Sequence, residues 1–478
     1  MSYHASMNQY DHIQKVQEII SGHNFESFID SGTLLGFIRD SSIISWDNDV
    51  DLAIIQKTDL NLKNLCNSFK EEGYKVSCSK WGILLEKKDL IETNIKIYRR
   101  IDQSLYTIYQ TSDADLLLLK KLCEIIYTDS FSISGNKLKE VLRKIIRFIS
   151  NILPEFALKN FLKPKSYVSI VSNDIIEPIK DYSLEGCLFK IPSLPEEYLA
   201  KKYGENWQTP IQNYSYKTDD GTISEYKMDL SDVLYVLQAI KKIFDKHEAL
   251  VYLSAGTLLG AIRDKGIIPW DYDIDLASKE IFLDKSDLIA KDLNDMNITV
   301  FISKMTNVMA LYYKGVTVDI DFYRGIGNDL LMPMKHINNK FGALIYFVDW
   351  MFCFEPKTSV LKSIENRVTY SMPRHLITFA TKRLPKGFRR NILNSLKKLA
   401  VYAGNTRGIV RIPNDLVGSC KSISIFNDEW LVPQNYEDYL SLYYGNWKVQ
   451  EENYQYFDSS GKIISSTQIP DLDWEHKL

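Results

Sequence analysis

The chain has 478 residues, of which 45% are hydrophobic, 25% charged and 12% aromatic, with 58 Lys and Arg against 61 Asp and Glu for a net charge of −3. At about 150 residues per domain this length implies two or three domains and excludes a small stapled scaffold, while the composition excludes a long disordered or fibrous chain. A near-neutral balance gives no global field for polyanions, so no nucleic-acid partner is expected and any basic surface is local.

The six cysteines (Cys66, Cys78, Cys123, Cys187, Cys353, Cys420) include no CxxC pair. This argues against a disulfide framework or a cysteine zinc site and for buried thiols in a reducing cytoplasm. The first residues show no basic flank followed by an apolar run, and no apolar stretch reaches the roughly 18 residues needed to cross a bilayer. The longest candidate, Ala343 to Phe354, is interrupted by Asp349. The expected location is cytoplasmic, with peripheral contact at the inner face of the membrane as an alternative.

Early in the chain, Ser31 to Ala53 reads SGTLLGFIRDSSIISWDNDVDLA, and Ala255 to Ala277 repeats it as AGTLLGAIRDKGIIPWDYDIDLA, with 16 of 23 positions identical. An offset of 224 residues is too long for a solenoid unit and marks a duplicated domain. Other landmarks keep step. NIKIYRR from Asn94 answers DIDFYRG from Asp319, Pro195 to Trp207 answers Gln434 to Trp447, and Leu153-Pro154 answers Leu384-Pro385. A polar turn at Asp219-Asp220-Gly221 sets the expected boundary, giving domains over 1–221 and 222–478.

In chain order within the second copy, apolar spacing predicts a helix from Leu230 to Phe244 and a strand over Ala249 to Leu253. Gly256-Thr257 forms a turn opening a helix through Leu258, Leu259, Ala261 and Ile262. A strand over Asp271 to Leu276 would send Asp271, Asp273 and Asp275 to one face, and a second over Val316 to Phe322 would set Val316, Val318, Ile320 and Phe322 against Asp319 and Asp321. Mixed strands and helices imply an α/β (α+β) class, a small mixed sheet with flanking helices in each copy.

Carboxylates crowded on one strand face repel unless a cation compensates them, and hard oxygen ligands at this spacing suit Mg²⁺ or Mn²⁺. Asp319 on the neighbouring strand would complete such a site. Gly256 and the Gly-Thr amides can approach a phosphate oxygen, although turn geometry alone also explains them. Arg263 can pair with phosphate or simply with Asp264. Trp270 is read as packing.

The string [SA]-G-T-L-L-G-x-I-R followed by I-x-W-D-x-D-[IV]-D-L resembles the LicD family, which includes the fukutins and fukutin-related protein, and the tails Tyr198 to Trp207 and Tyr439 to Trp447 are similar to that family's C-terminal motif. The resemblance covers nearly the whole chain as two tandem copies and implies a nucleotidyltransferase fold. It further implies a transferase that moves a phospho-alcohol, such as phosphocholine or ribitol or glycerol phosphate, from a CDP-linked donor to a sugar hydroxyl of a cell-surface or lipid-linked glycan. In that frame Asp273, Asp275 and Asp319 are the catalytic metal ligands, and Gly256, Thr257, Arg263, Asp271 and Asp321 surround the substrate. Nucleotidyl transfer from a nucleoside triphosphate is the alternative chemistry, and a catalytically dead binding protein is a third class.

The first copy keeps Gly32, Thr33, Arg39, Asp47, Asp49 and Asp51, but Asn94 stands for Asp319 and Lys96 for Asp321. Losing a carboxylate weakens metal binding, so the first copy is expected to be degenerate and the second catalytic; two working sites with different donors is the competing reading. Basic stretches from Lys137 to Lys165 and from Arg374 to Lys398 suit either an anionic membrane surface or a solvated helix face.

Overall fold

The computed structural model describes residues 3–56, 61–111, 165–210, 214, 215, 217–303, 308–326, 329–335, 407–449 and 463–465. Both basic stretches, apart from Lys165, and the apolar run from Ala343 to Phe354 lie outside them. The chain forms two compact units that part after Tyr226, so the first runs past the polar turn at Asp219–Gly221 to include a last strand.

That first unit begins with a helix over Tyr3–Gly22. Its strands are β1 (Glu26–Ile29), β2 (Asp49–Ile55), β3 (Lys75–Cys78), β4 (Gly82–Glu86), β5 (Glu92–Ile101), β6 (Ser104–Thr111), β7 (Lys165–Ser172), β8 (Lys180–Leu184), β9 (Cys187–Ile191) and β10 (Ile223–Tyr226). The sheet order is β1-β2-β5-β6-β7-β10, with β4 joined to β5 and β3 to β4, while β8 and β9 form a separate hairpin. Within it β2 and β5 run parallel, and the pairs around them are antiparallel.

The second unit repeats this plan. Its strands are β11 (Tyr252–Leu253), β12 (Ile274–Lys279), β13 (Thr299–Ser303), β14 (Val308–Tyr313), β15 (Val316–Ile326), β16 (Asp329–Lys335), β17 (Arg407–Pro413), β18 (Cys420–Ile425), β19 (Asp428–Pro433) and β20 (Ile463–Ser465). The order is β11-β12-β15-β16-β17-β20, with β14 and β13 branching from β15, and β12 and β15 form the parallel pair. Each unit is thus a mixed sheet with flanking helices, as the α/β reading requires.

Period-two patterning explains the central strand. Val316, Val318, Ile320 and Phe322 of β15 are buried, whereas Asp319 and Asp321 face the other way and are only partly covered. The expected helix is present over Leu230–Lys246, capped by Asp229, whose Oδ1 accepts from the Ser231 and Asp232 amides at 3.0 and 3.2 Å. It buries Val233, Val236, Leu237, Ile240 and Phe244 among others, each contributing about 1.5–3 kcal/mol of apolar transfer.

Two expected elements differ. The strand expected over Ala249 to Leu253 is paired only at Tyr252–Leu253. The acidic segment enters its strand late, because pairing starts at Ile274 opposite Val318 and the Asp271 amide turns back onto the Ile268 carbonyl at 3.1 Å. Asp271 and Asp273 therefore sit in the approach to β12. Cys66, Cys78 and Cys187 are buried thiols without disulfides, and no helix among the described residues is long and apolar enough to cross a membrane.

Candidate functional site

A short helix, Ala255–Leu259, follows β11 and passes into a π-helical turn over Gly260–Asp264. Ala255 takes φ 37° and its counterpart Ser31 takes φ 44°, so both copies begin this helix with a left-handed residue other than glycine. Such a conformation is uncommon outside glycine and concentrates at sites whose surroundings enforce it.

Two hydrogen bonds lock that helix to the acidic strand. The Gly256 amide donates to Asp275 Oδ2 at 3.0 Å, and the Asp275 amide donates to Thr257 Oγ1 at 2.8 Å. Gly256 thus holds the Asp275 carboxylate and Thr257 its backbone amide, a task that the sequence pattern had left between phosphate binding and turn geometry. A Cβ on Gly256 would stand 2.7 Å from Asp271 Oδ2 and 3.1 Å from Asp275 Oδ2, so glycine is required for the two carboxylates to approach.

Strand register brings in the third acid. Asp275 on β12 is the direct partner of Asp319 on β15, and Asp321 lies opposite Ala277 one step further along the same face. Burial, reinforced by Asp273, pushes the Asp319 carboxyl up to about 6; burial and then Asp319 push Asp321 up to about 7. Asp271 is raised to about 6 by burial and then Asp273, and Asp275 is raised well above the carboxylate range by burial, Asp273 and Asp271. These acids destabilise one another's charge, which is the condition a bound cation relieves.

Among the described residues no three His, Cys, Asp or Glu side chains are gathered closely enough to enclose a metal by themselves. The donor set nevertheless fits Mg²⁺ or Mn²⁺, which bind through one or two carboxylates and complete their shell with water and substrate phosphate. Arg263 is held aside. Its Nε and Nη2 donate to Asp264 at 2.8 and 2.7 Å, and Arg39 makes the same pair with Asp40 at the same distances. Tyr272, between Asp271 and Asp273, is 70% exposed.

The first copy reproduces the scaffold with different charges. Gly32 donates to Asp51 Oδ2 at 3.2 Å, and the Asp51 amide donates to Thr33 Oγ1 at 2.9 Å. Asp51 pairs in register with Asn94, whose Nδ2 donates to Asp49 Oδ2 at 2.5 Å. The Lys96 ammonium lies 3.0 Å from Asp30 Oδ2 and 3.2 Å from Asp51 Oδ1 and donates to Ser31 Oγ at 2.5 Å. Burial acts against charge on both Asp30 and Lys96, yet their attraction prevails, holding Asp30 below and Lys96 well above the ordinary values. Burial and Asp49 raise Asp47 to about 7.

Beneath each pocket lies a cluster that sequence reasoning missed. In the second copy Ser254 Oγ shares hydrogen bonds with the Tyr323 and Tyr439 hydroxyls at 3.1 and 2.7 Å, and Tyr323 reaches Tyr443 at 3.4 Å. In the first, Tyr198 donates to Asp30, and Lys202 pairs with Asp220 at 2.7 Å in a buried bridge. The signal was present in the repeat itself, because Tyr198 and Tyr439 occupy matching places in the duplicated tail.

A family model described as "LicD/FKTN/FKRP, nucleotidyltransferase domain" matches residues 24–121 and 249–385. Among curated proteins the chain is similar to the uncharacterized protein RP689 of Rickettsia prowazekii (strain Madrid E), 28% identical over 128 residues covering 24% of this chain and 46% of that protein. It is also similar to the uncharacterized protein RT0683 of Rickettsia typhi (strain ATCC VR-144 / Wilmington), 29% identical over 90 residues covering 19% and 29%. The match thus spans less than half of each relative. Two solved structures of ANT(2'')-Ia also align. The crystal structure in complex with adenylyl-2''-tobramycin has 18% identity and a TM-score of 0.18, covering 20% of this chain and 54% of that one. The solution structure of this antibiotic-resistance factor has 9% identity and a TM-score of 0.19, covering 37% and 97%.

Proposed function

From a chain that belongs to the LicD family through two tandem nucleotidyltransferase domains, we propose a metal-dependent transferase that moves a phospho-alcohol of the phosphocholine or ribitol or glycerol phosphate type. The donor is CDP-linked, and the acceptor is a sugar hydroxyl of a cell-surface or lipid-linked glycan. The observation that carries this reading is the register of Asp275 against Asp319, with Asp273 close enough to raise both.

Asp273, Asp275 and Asp319 would hold Mg²⁺ or Mn²⁺. When bound, the ion neutralises charge on the donor diphosphate and on the departing CMP. The Gly256 amide holds the Asp275 carboxylate and Thr257 Oγ1 accepts from the Asp275 backbone amide, so the ligand keeps its direction. Asp321 sits behind Asp319 with an elevated pKa, suited to accept the acceptor's hydroxyl proton. Arg263 commits Nε and Nη2 to Asp264, so a donor phosphate would be met through Nη1 or by exchange for Asp264.

Titration calorimetry with a panel of CDP-linked alcohols in Mg²⁺ tests the reading, using the wild type, Asp275→Asn and Asp51→Asn. Heat from one donor, absent in Asp275→Asn and retained in Asp51→Asn, is expected. Absence of heat with every CDP compound, together with pyrophosphate release from a nucleoside triphosphate, would replace it with nucleotidyl transfer.

A further inference from the structure

The two pockets differ by an exchange of charge. Asp321 of the second copy becomes Lys96 in the first, Asp319 becomes Asn94, and Ser254, which precedes the short helix, becomes Asp30. The scaffold around these changes is unaltered, since the Gly32–Asp51 and Asp51–Thr33 bonds match Gly256–Asp275 and Asp275–Thr257 within 0.2 Å.

We propose that the first copy is a metal-independent domain in which the Lys96 ammonium is the permanent counter-ion of the pocket. This rests on the reading of the second copy as a metal site. Lys96 stands 3.2 Å from Asp51 Oδ1, the carboxylate matching the ligand Asp275, and it is anchored from below by Asp30 and Ser31. Asp30 is fully buried, and the Lys96 side chain is only 17% exposed. Asn94 acts in concert, because its amide donates to Asp49, the counterpart of Asp273, and so occupies the second candidate ligand.

A divalent ion entering this pocket would meet an ammonium at one ligand and an amide hydrogen at the other. Like charges at that range repel, and the carboxylate that would offset the ion is already paired with the ammonium. The exchanges are also coupled. Lys96 without Asp30 would keep only Asp51 as an anionic partner, and Asp30 without Lys96 would lose the ammonium nearest to it and keep the Tyr198 and Ser31 hydrogen bonds. A chance loss of one ligand would not supply the partner beneath it.

Equilibrium dialysis of the full chain against Mn²⁺ and CDP, counting bound ions per chain, tests the proposal. One ion is expected in the wild type, one in Asp51→Asn and none in Asp275→Asn. Restoring the second copy's residues together, as Asp30→Ser, Asn94→Asp and Lys96→Asp, is expected to add one ion. Two ions in the wild type, with one lost in Asp51→Asn, would overturn the proposal and leave the second copy's assignment intact. No ion in the wild type would overturn that assignment instead; the triple variant then decides, a gained ion upholding metal exclusion by Lys96 and no gain defeating it.

Discussion

Asp275 and Asp319 are direct register partners on adjacent parallel strands, and Asp51 and Asn94 hold the same register in the first unit. One duplicated frame therefore presents a carboxylate pair in one copy and a carboxylate–amide pair in the other. Asp319→Asn makes the second copy imitate the first at this point. Metal-dependent binding of CDP is expected to weaken at least about tenfold in that variant, measured by calorimetry with and without Mg²⁺. Equal affinity in wild type and variant would remove Asp319 from the site.

Gly256→Ala tests how the acids are oriented. The added Cβ would meet Asp271 Oδ2 at 2.7 Å and Asp275 Oδ2 at 3.1 Å, so the carboxylates must swing outward while the apolar core is untouched. Metal-dependent CDP binding is expected to fall roughly tenfold or more, with the melting temperature shifting by no more than a few degrees. Gly32→Ala would crowd Asp47 Oδ2 at 2.5 Å in the first copy and is expected to leave CDP binding unchanged. An equal loss in both variants would contradict the division of labour between copies.

Much of this frame was legible before the structure. The duplication is written in 16 identities of 23, and alternation placed Asp319 and Asp321 opposite a buried apolar row. The acidic triplet was harder, because alternation describes a residue only once its strand is paired, and pairing begins at Ile274. Arg263 admitted two partners from the sequence alone, and its adjacent Asp264 accepts from Nε and Nη2. Least legible were the clusters beneath the pockets. Asp30, Lys96, Tyr198 and Lys202 are scattered over 170 residues and acquire meaning only when the helix over Pro195–Tyr203 brings Tyr198 against Phe28, Tyr98 and Asp30. The exchange of Lys96 for Asp321 was visible, but its partner at Asp30 lay one position outside the repeated block.

Removing the internal cation should be costly. Lys96→Met leaves Asp30 buried without its ammonium partner, and breaking such a pair costs about 3 kcal/mol or more. For a unit of this size that lowers its melting temperature by roughly 6–12 °C in calorimetric scans. Adding Asp30→Ser, which restores the hydroxyl found at Ser254, is expected to recover part of the loss because both charges are then gone. A double variant no more stable than Lys96→Met would show that the two residues do not act as a pair.

His12 gives the first unit a pH dependence of its own. Its Nδ1 lies 3.0 Å from the Tyr74 hydroxyl and its Nε2 lies 2.9 Å from Thr93 Oγ1, an arrangement that a neutral ring satisfies as donor on one side and acceptor on the other. Burial, aided by Lys87, lowers its pKa from 6.5 to about 4. The unfolded chain therefore binds the proton first as pH falls, so this contribution is complete above pH 6.5 and is lost between there and about pH 4. The loss is on the order of 2 kcal/mol, read as a falling urea midpoint for the first unit's transition across that window. His12→Gln keeps a donor and an acceptor but cannot titrate. It is expected to flatten the pH profile over this window, leaving only the slope contributed by carboxylates such as Asp47, whose titration near pH 7 is common to both proteins. Parallel profiles in wild type and variant would mean that His12 takes up its proton equally in the folded and unfolded chain, and the lowered pKa assigned to it would fail.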